Sequence, residues 1–247
     1  MKINDIRTVA VCALAGAALI ATSAVAQLWN QPTLMKGVTG GGGGGGPIAF
    51  VAAASQGING LGTVWNSSYS VSTGSNEGLV ICVYTGSGAG SIVSMSYNGI
   101  SGVALLATTS GIAPEEEWFI PLGNTTAGSH TLTITYANPG NVIAVVGEYA
   151  KIQQNTTPDG SAISLNTGGT PGSAAVTTTT SGDWVAVCGV ATATTSAGTG
   201  LVKRIDAQPT SIDPNLYDSN GTVSVGSNTF TANPSTQDLL AAGFRPG

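Results

Sequence analysis

The chain has 247 residues, 7 Lys+Arg against 12 Asp+Glu, a net charge of −5 and only 8% charged residues, where an average soluble domain has roughly 25%. So few cations exclude a nucleic-acid binder that neutralises phosphates, and so little Glu and Lys excludes a coiled coil. Hydrophobic residues at 42% with a modest net charge exclude ordinary disorder.

Residues 1–26 read as a secretory signal peptide. Lys2 and Arg7 form its positive start, Val9 to Ile20 its apolar run, and Ala24-Val25-Ala26 a small-x-small cleavage site. The apolar run is short for a membrane anchor of about 20 residues. Cys12 follows Val11 rather than a small residue and lies too early in the run for lipidation. Cleavage removes Lys2, Asp5 and Arg7, makes the chain one unit more negative, and leaves Cys82 and Cys188 as its cysteines. No later segment is apolar and long enough to span a membrane.

Residues 27–47 read as a flexible tether, because the glycines from Gly40 to Gly46 have no side chains to bury and much backbone entropy to lose. No Gly-Lys-Ser/Thr follows, so the run is not a phosphate loop.

Residues 48–247 read as one all-β domain, an antiparallel two-sheet β-sandwich of jelly-roll or Greek-key type. Short runs rich in Val, Ile, Thr and Tyr, punctuated by Gly, Asn, Ser and Pro, predict strands. In chain order these are Ile48–Ser55, Val64–Val71, Gly78–Thr85, Ile92–Tyr97, Ala104–Thr109, Glu116–Pro121 and His130–Tyr136. Val142–Tyr149, Ala174–Thr179, Trp184–Ala191, Thr222–Val225 and Leu239–Phe244 follow. His130–Tyr136 alternates, with Leu132, Ile134 and Tyr136 on one face and Thr131, Thr133 and Thr135 on the other, as a half-buried strand does. Leu79–Val83 and Val142–Val146 are apolar without a break, which predicts central strands covered on both faces. Glu77-Gly-Leu-Val-Ile-Cys82 is echoed by Asp183-Trp-Val-Ala-Val-Cys188, a hint of two related half-motifs.

An ordered set of short patterns spans residues 62–247: Ser75-Asn-Glu-Gly-Leu-Val-Ile81, Val93-Ser-Met-Ser-Tyr97-Asn-Gly-Ile100, Gly102-Val-Ala-Leu105 and Glu117-Trp-Phe-Ile-Pro121. Ala127-Gly-Ser-His-Thr-Leu-Thr-Ile134, Ala144-Val-Val-Gly-Glu-Tyr149, Gln154-Asn-Thr-Thr-Pro158, Ser181-Gly-Asp-Trp-Val185 and Asp238-Leu-Leu-Ala-Ala-Gly-Phe-Arg-Pro246 complete it. In this set the chain resembles a family of exported bacterial and phage-associated jelly-roll modules. The resemblance implies architecture and export, and brings no catalytic residues. The polyglycine run and Glu115-Glu116-Glu117 depart from the family pattern.

Few residues invite chemistry. His130 is the single histidine and reads as structural. Glu115 and Glu117 share a strand face, as a glycosidase pair or a cation site needs, but Glu115-Glu116-Glu117 reads first as an exposed acidic turn leading into a strand. Asp206, Asp213, Asn215, Asp218 and Asn220 gather oxygen ligands of the kind calcium takes; Asx-turns account for the same residues. Cys82 and Cys188 are an even pair in an exported chain, which favours a disulfide, although buried free cysteines are common. Trp65 and Tyr69 read as an exposed pair that a sugar face could stack on. Asn66, Asn124, Asn155 and Asn220 head Asn-x-Ser/Thr sequons, which a chain rich in Ser and Thr produces by chance.

The expectation is an exported, non-enzymatic protein that builds or decorates an extracellular surface, as a surface layer, a filament or a virion decoration. Its partners are copies of itself or other surface or virion proteins, with no nucleic acid, no metal and no cofactor. The near-absence of charge supports this, since surfaces that stay solvated carry more. A glycan-binding module using Trp65 and Tyr69 is the alternative, and a glycan hydrolase or lyase using Glu115 and Glu117 the third.

Overall fold

The computed structural model describes residues 35–36, 46–57, 62–86, 88–109, 114–165, 172–192, 195–207, 212–233 and 237–247. Residues 1–26, read as a signal peptide, and most of 27–47, read as a tether, lie outside these residues. The described residues form antiparallel strands and no helix. The first half holds β1 (Met35–Lys36), β2 (Ala49–Gly57), β3 (Val64–Val71), β4 (Gly74–Thr85), β5 (Ile92–Tyr97), β6 (Ile100–Ser101), β7 (Val103–Thr108), β8 (Glu115–Thr125), β9 (Gly128–Tyr136) and β10 (Val142–Ala150). The second holds β11 (Ser161–Ser164), β12 (Ser173–Thr178), β13 (Trp184–Ala191), β14 (Ser196–Ala197), β15 (Val202–Asp206), β16 (Asp213–Asp218), β17 (Gly226–Asn233) and β18 (Gln237–Phe244).

These strands make four sheets where two were expected. Two are large, ordered β1-β2-β10-β4-β8-β7 and β11-β18-β13-β16-β15; two are small, ordered β3-β9-β5-β6 and β12-β17-β14. The halves repeat one wiring: β2, β3, β4, β5, β7, β8, β9 and β10 occupy the places that β11, β12, β13, β14, β15, β16, β17 and β18 occupy in the second. Register confirms the match, because Cys82 lies opposite Val145 and Glu117, and Cys188 opposite Leu240 and Leu216. The sequence echo is therefore structural: Glu77 and Asp183 enter equivalent strands that carry Cys82 and Cys188.

Three buried layers hold the sheets together. Leu79, Ile81, Leu132, Ile134 and Val146 fill the space between the small and large sheets of the first half. Val185, Val187, Phe230, Leu239 and Ala241 do the same in the second. Val80, Phe119, Val145, Leu216, Leu240 and Phe244 fill a middle layer between the two large sheets. Alternate residues of β4 thus belong to different cores, which is why its apolar run has no break. The outer strands keep one face in water and alternate instead.

Contacts across the middle layer are reciprocal. β4 meets β13; β10 meets β16 as β18 meets β8; β2 meets β15 as β11 meets β7. That is the pattern of a two-fold dimer contained in one chain. Gly147 lets the sheets approach, since a Cβ there would fall 2.3 Å from Leu216 Cδ2.

The expected strand Thr222–Val225 is not one; the strand of that region is β17. Asp213-Pro-Asn, read as an Asx-turn, opens β16 instead, whereas Asp218 accepts from the Asn220 N–H at 2.8 Å, as an Asx-turn does. Buried Leu216 and Tyr217 hold Asp213-Pro-Asn in the sheet against its turn propensity.

Candidate functional site

The aromatic platform does not form. Trp65 and Tyr69 fall on the same face of β3 by strand period, and that face turns inward. Tyr69 is 2% exposed, and Trp65 packs half-buried on the core. Tyr69 stands edge-on to Tyr97, whose hydroxyl donates to the Tyr69 carbonyl. The outward face of β3 carries Asn66, Ser68 and Ser70. His130 also points inward, edge-on to Tyr97.

The oxygen-rich stretch after Asp206 does not converge. Asp206 accepts from Lys203, Asn215 accepts from Thr195, and Asp218 pairs with Arg204 and Tyr149 on the opposite face of β16. Among the described residues no group of three or more His, Cys, Asp or Glu side chains could hold a metal ion.

Cys82 and Cys188 are joined in a disulfide at the centre of the middle layer, with Cα atoms 5.3 Å apart. The bridge links equivalent residues of the two halves across their pseudo-two-fold. To either side, one equivalent pair of positions carries different chemistry. Phe119 and Phe244 pack ring against ring at 5.2 Å. Their counterparts by register, Asp218 and Tyr149, hydrogen-bond at 3.0 Å.

Glu115, Glu116 and Glu117 are not an exposed turn. They open β8 and are buried, Glu115 and Glu117 at 0% exposure. Glu116 accepts from the Ile92 N–H at 2.8 Å and from Trp118 Nε1 at 2.8 Å. Glu115 and Glu117 face the middle layer, and their carboxyl oxygens have no hydrogen-bond partner. Burial pushes both well above the usual carboxylate range, helped at Glu115 by the charges of Asp238 and Glu117. Both carboxyls are sealed between the two large sheets.

Two further carboxyl pairs sit at the starts of β4 and β13. Glu148 is raised to about 7 by burial and by Glu77, against the Ser72 N–H that binds it at 2.7 Å. Glu77 is raised by burial, and Thr125 donates to it. In the second half Asp183 is raised to about 7 by burial and by Asp159. Asp159 is lowered, chiefly by its neighbour Asp183, and it accepts from Arg245 Nη2 at 2.9 Å and from the Thr179 and Thr180 N–H groups at 3.0 and 2.7 Å. The sequence marked Glu77 and Asp183 as equivalents; nothing local marked Glu148 and Asp159, which reach them from distant segments.

Among the described residues the surface carries little charge. Glu77, Glu115, Glu116, Glu117, Glu148, Asp159, Asp183, Asp218 and Asp238 are all buried. Lys151, Lys203, Arg204, Asp206 and Arg245 are half-buried. The outer faces of the small sheets present Ser68, Ser70, Ser129 and Thr131 in one half and Ser173, Thr177, Ser227 and Thr229 in the other. Among the described residues no helix is long and apolar enough to cross a membrane. No family model, no curated protein and no solved structure matches the chain.

Proposed function

We propose that this chain is an exported, non-enzymatic building block of an extracellular surface or assembly, made of two jelly-roll sandwiches packed through their large sheets. One observation carries the reading: the described acidic side chains are withdrawn into the three cores or held in ion pairs, and the surface offers Ser, Thr, Asn and Gly. Solvated monomers hold themselves apart by surface charge; this molecule has little repulsion to overcome when copies meet. The internal disulfide and the doubly covered central sheets suit a rigid part.

A catalytic role for Glu115 and Glu117 is opposed by their sealing between the large sheets, and glycan binding by the inward turn of Trp65 and Tyr69. The test is electron microscopy with light scattering on the chain beginning at Gln27. Ordered polymers, sheets or shells are expected. A discrete monomer at the same concentration overturns the reading, and a glycan-binding screen then follows.

A further inference from the structure

The two-fold within the chain makes its two flanks equivalent, and among the described residues one of them is protected and the other is not. On one flank the edge of β2 is covered by β1, with Met35 opposite Ala53 and Lys36 opposite Ala52. The neighbouring edge strand, β15, carries Lys203, Arg204 and Asp206. Lys203 pairs with Asp206 at 2.5 Å. Arg204 binds Asp218 at 2.6 Å and lies 4.3 Å over the Phe50 ring, closing the rim of the middle layer. Covering strands and edge charges are the usual defences against strand addition.

Among the described residues the other flank shows neither defence. β11 ends its sheet, with no described strand beyond it. It reads Ser-Ala-Ile-Ser, and its neighbour β7 reads Val-Ala-Leu-Leu-Ala-Thr, without one charge. Both β7 and β15 are bulged at equivalent points, but Leu105 stands where β15 has Arg204. Ile163 on β11 is 45% exposed and Val103 on β7 is 40% exposed. An apolar rim beside an open, uncharged strand edge invites a further strand.

The equivalent flank shows what fits. β11 is the counterpart of β2, and β2 takes Met35–Lys36 antiparallel. We propose that the open edge of β11 is the docking site for the N-terminal segment, residues 27–47, of a second copy of this chain. It adds antiparallel as β1 adds to β2, bringing Met35 of that copy opposite Ser161. The seven-residue glycine run, Gly40 to Gly46, gives the segment reach. Leaving its own β2 exposes an edge that Lys203 and Arg204 already guard; arriving at β11 covers Val103 and Ile163. The exchange is a domain swap that joins copies head to tail. It rests on the assembly reading above.

The test uses light-scattering mass on three full mature chains. Ile163→Lys places a charge on the acceptor edge, at a half-open position that tolerates it. Met35→Pro with Lys36→Pro removes the donor strand's N–H groups. Each variant alone is expected to be monomeric while the wild type assembles. An equimolar mixture can make a single joint, donor from Ile163→Lys and acceptor from the proline variant, and is expected to double in mass. Variants that assemble like the wild type, or a mixture that stays monomeric, overturn this joint and leave the assembly reading standing. A monomeric wild type overturns both.

Discussion

Glu148 and Asp183 hold protons at a pH where free carboxyls have lost them. The unfolded chain releases these protons near pH 4, and the folded chain near pH 7. Between those values the folded state binds more protons, so stability falls as pH rises across the window. The lowered Asp159 acts oppositely, and only below the ordinary aspartate range. The melting temperature is therefore expected to drop from about pH 5 to about pH 8, and Glu148→Gln to flatten part of that slope; a melting temperature that climbs over this range contradicts the raised carboxyls at Glu148 and Asp183. Glu117 supplies a second test. Its carboxyl is buried without a partner, and its counterpart in the other half is Leu216. An unsatisfied buried polar group costs about 1–3 kcal/mol, so Glu117→Leu is expected to stabilise by that order in calorimetry. A destabilised Glu117→Leu shows that the acid has a role the packing does not reveal.

At the scale of elements, the sequence was readable where one rule governs a strand. Val64–Val71, Ile92–Tyr97 and Trp184–Ala191 match their strands end to end, because alternation or an unbroken apolar run is unopposed there. β16 was hidden because Asp-Pro-Asn obeys turn chemistry locally and is overruled by the burial of Leu216 and Tyr217. β11 and β14 are too short to show a period. Trp65 and Tyr69 looked exposed among serines and asparagine, yet strand period puts both aromatics on one face, and an apolar face seeks the core. The triple glutamate looked solvated because no local feature signals that acids will be sealed between two sheets. The Cys82–Cys188 bridge ties the central strands of both halves over a separation of 106 residues. Constraining a loop of that length in the denatured state is worth about 4–5 kcal/mol. Replacing both cysteines by alanine is expected to lower the urea midpoint accordingly; an unchanged midpoint contradicts a stabilising bridge.

The described residues form four stacked sheets with most of their acidic side chains inside. The repeat that builds it was visible only as six residues around each cysteine, since the halves share wiring more than side chains: Tyr69 corresponds to Val176, and Leu132 to Phe230. Pseudo-symmetry then makes the exceptions informative, and the unguarded flank at β7 and β11 is the largest of them. Copies that meet through neutral hydroxyls, apolar rims and backbone edges have little Coulomb energy for salt to screen. Light scattering of the mature chain across a salt series, from about 0.05 to about 1 M, tests that claim most directly. An assembled mass that holds or grows with salt is predicted. An assembly that dissolves as salt rises contradicts it, and places the contacts on the few charges the surface retains.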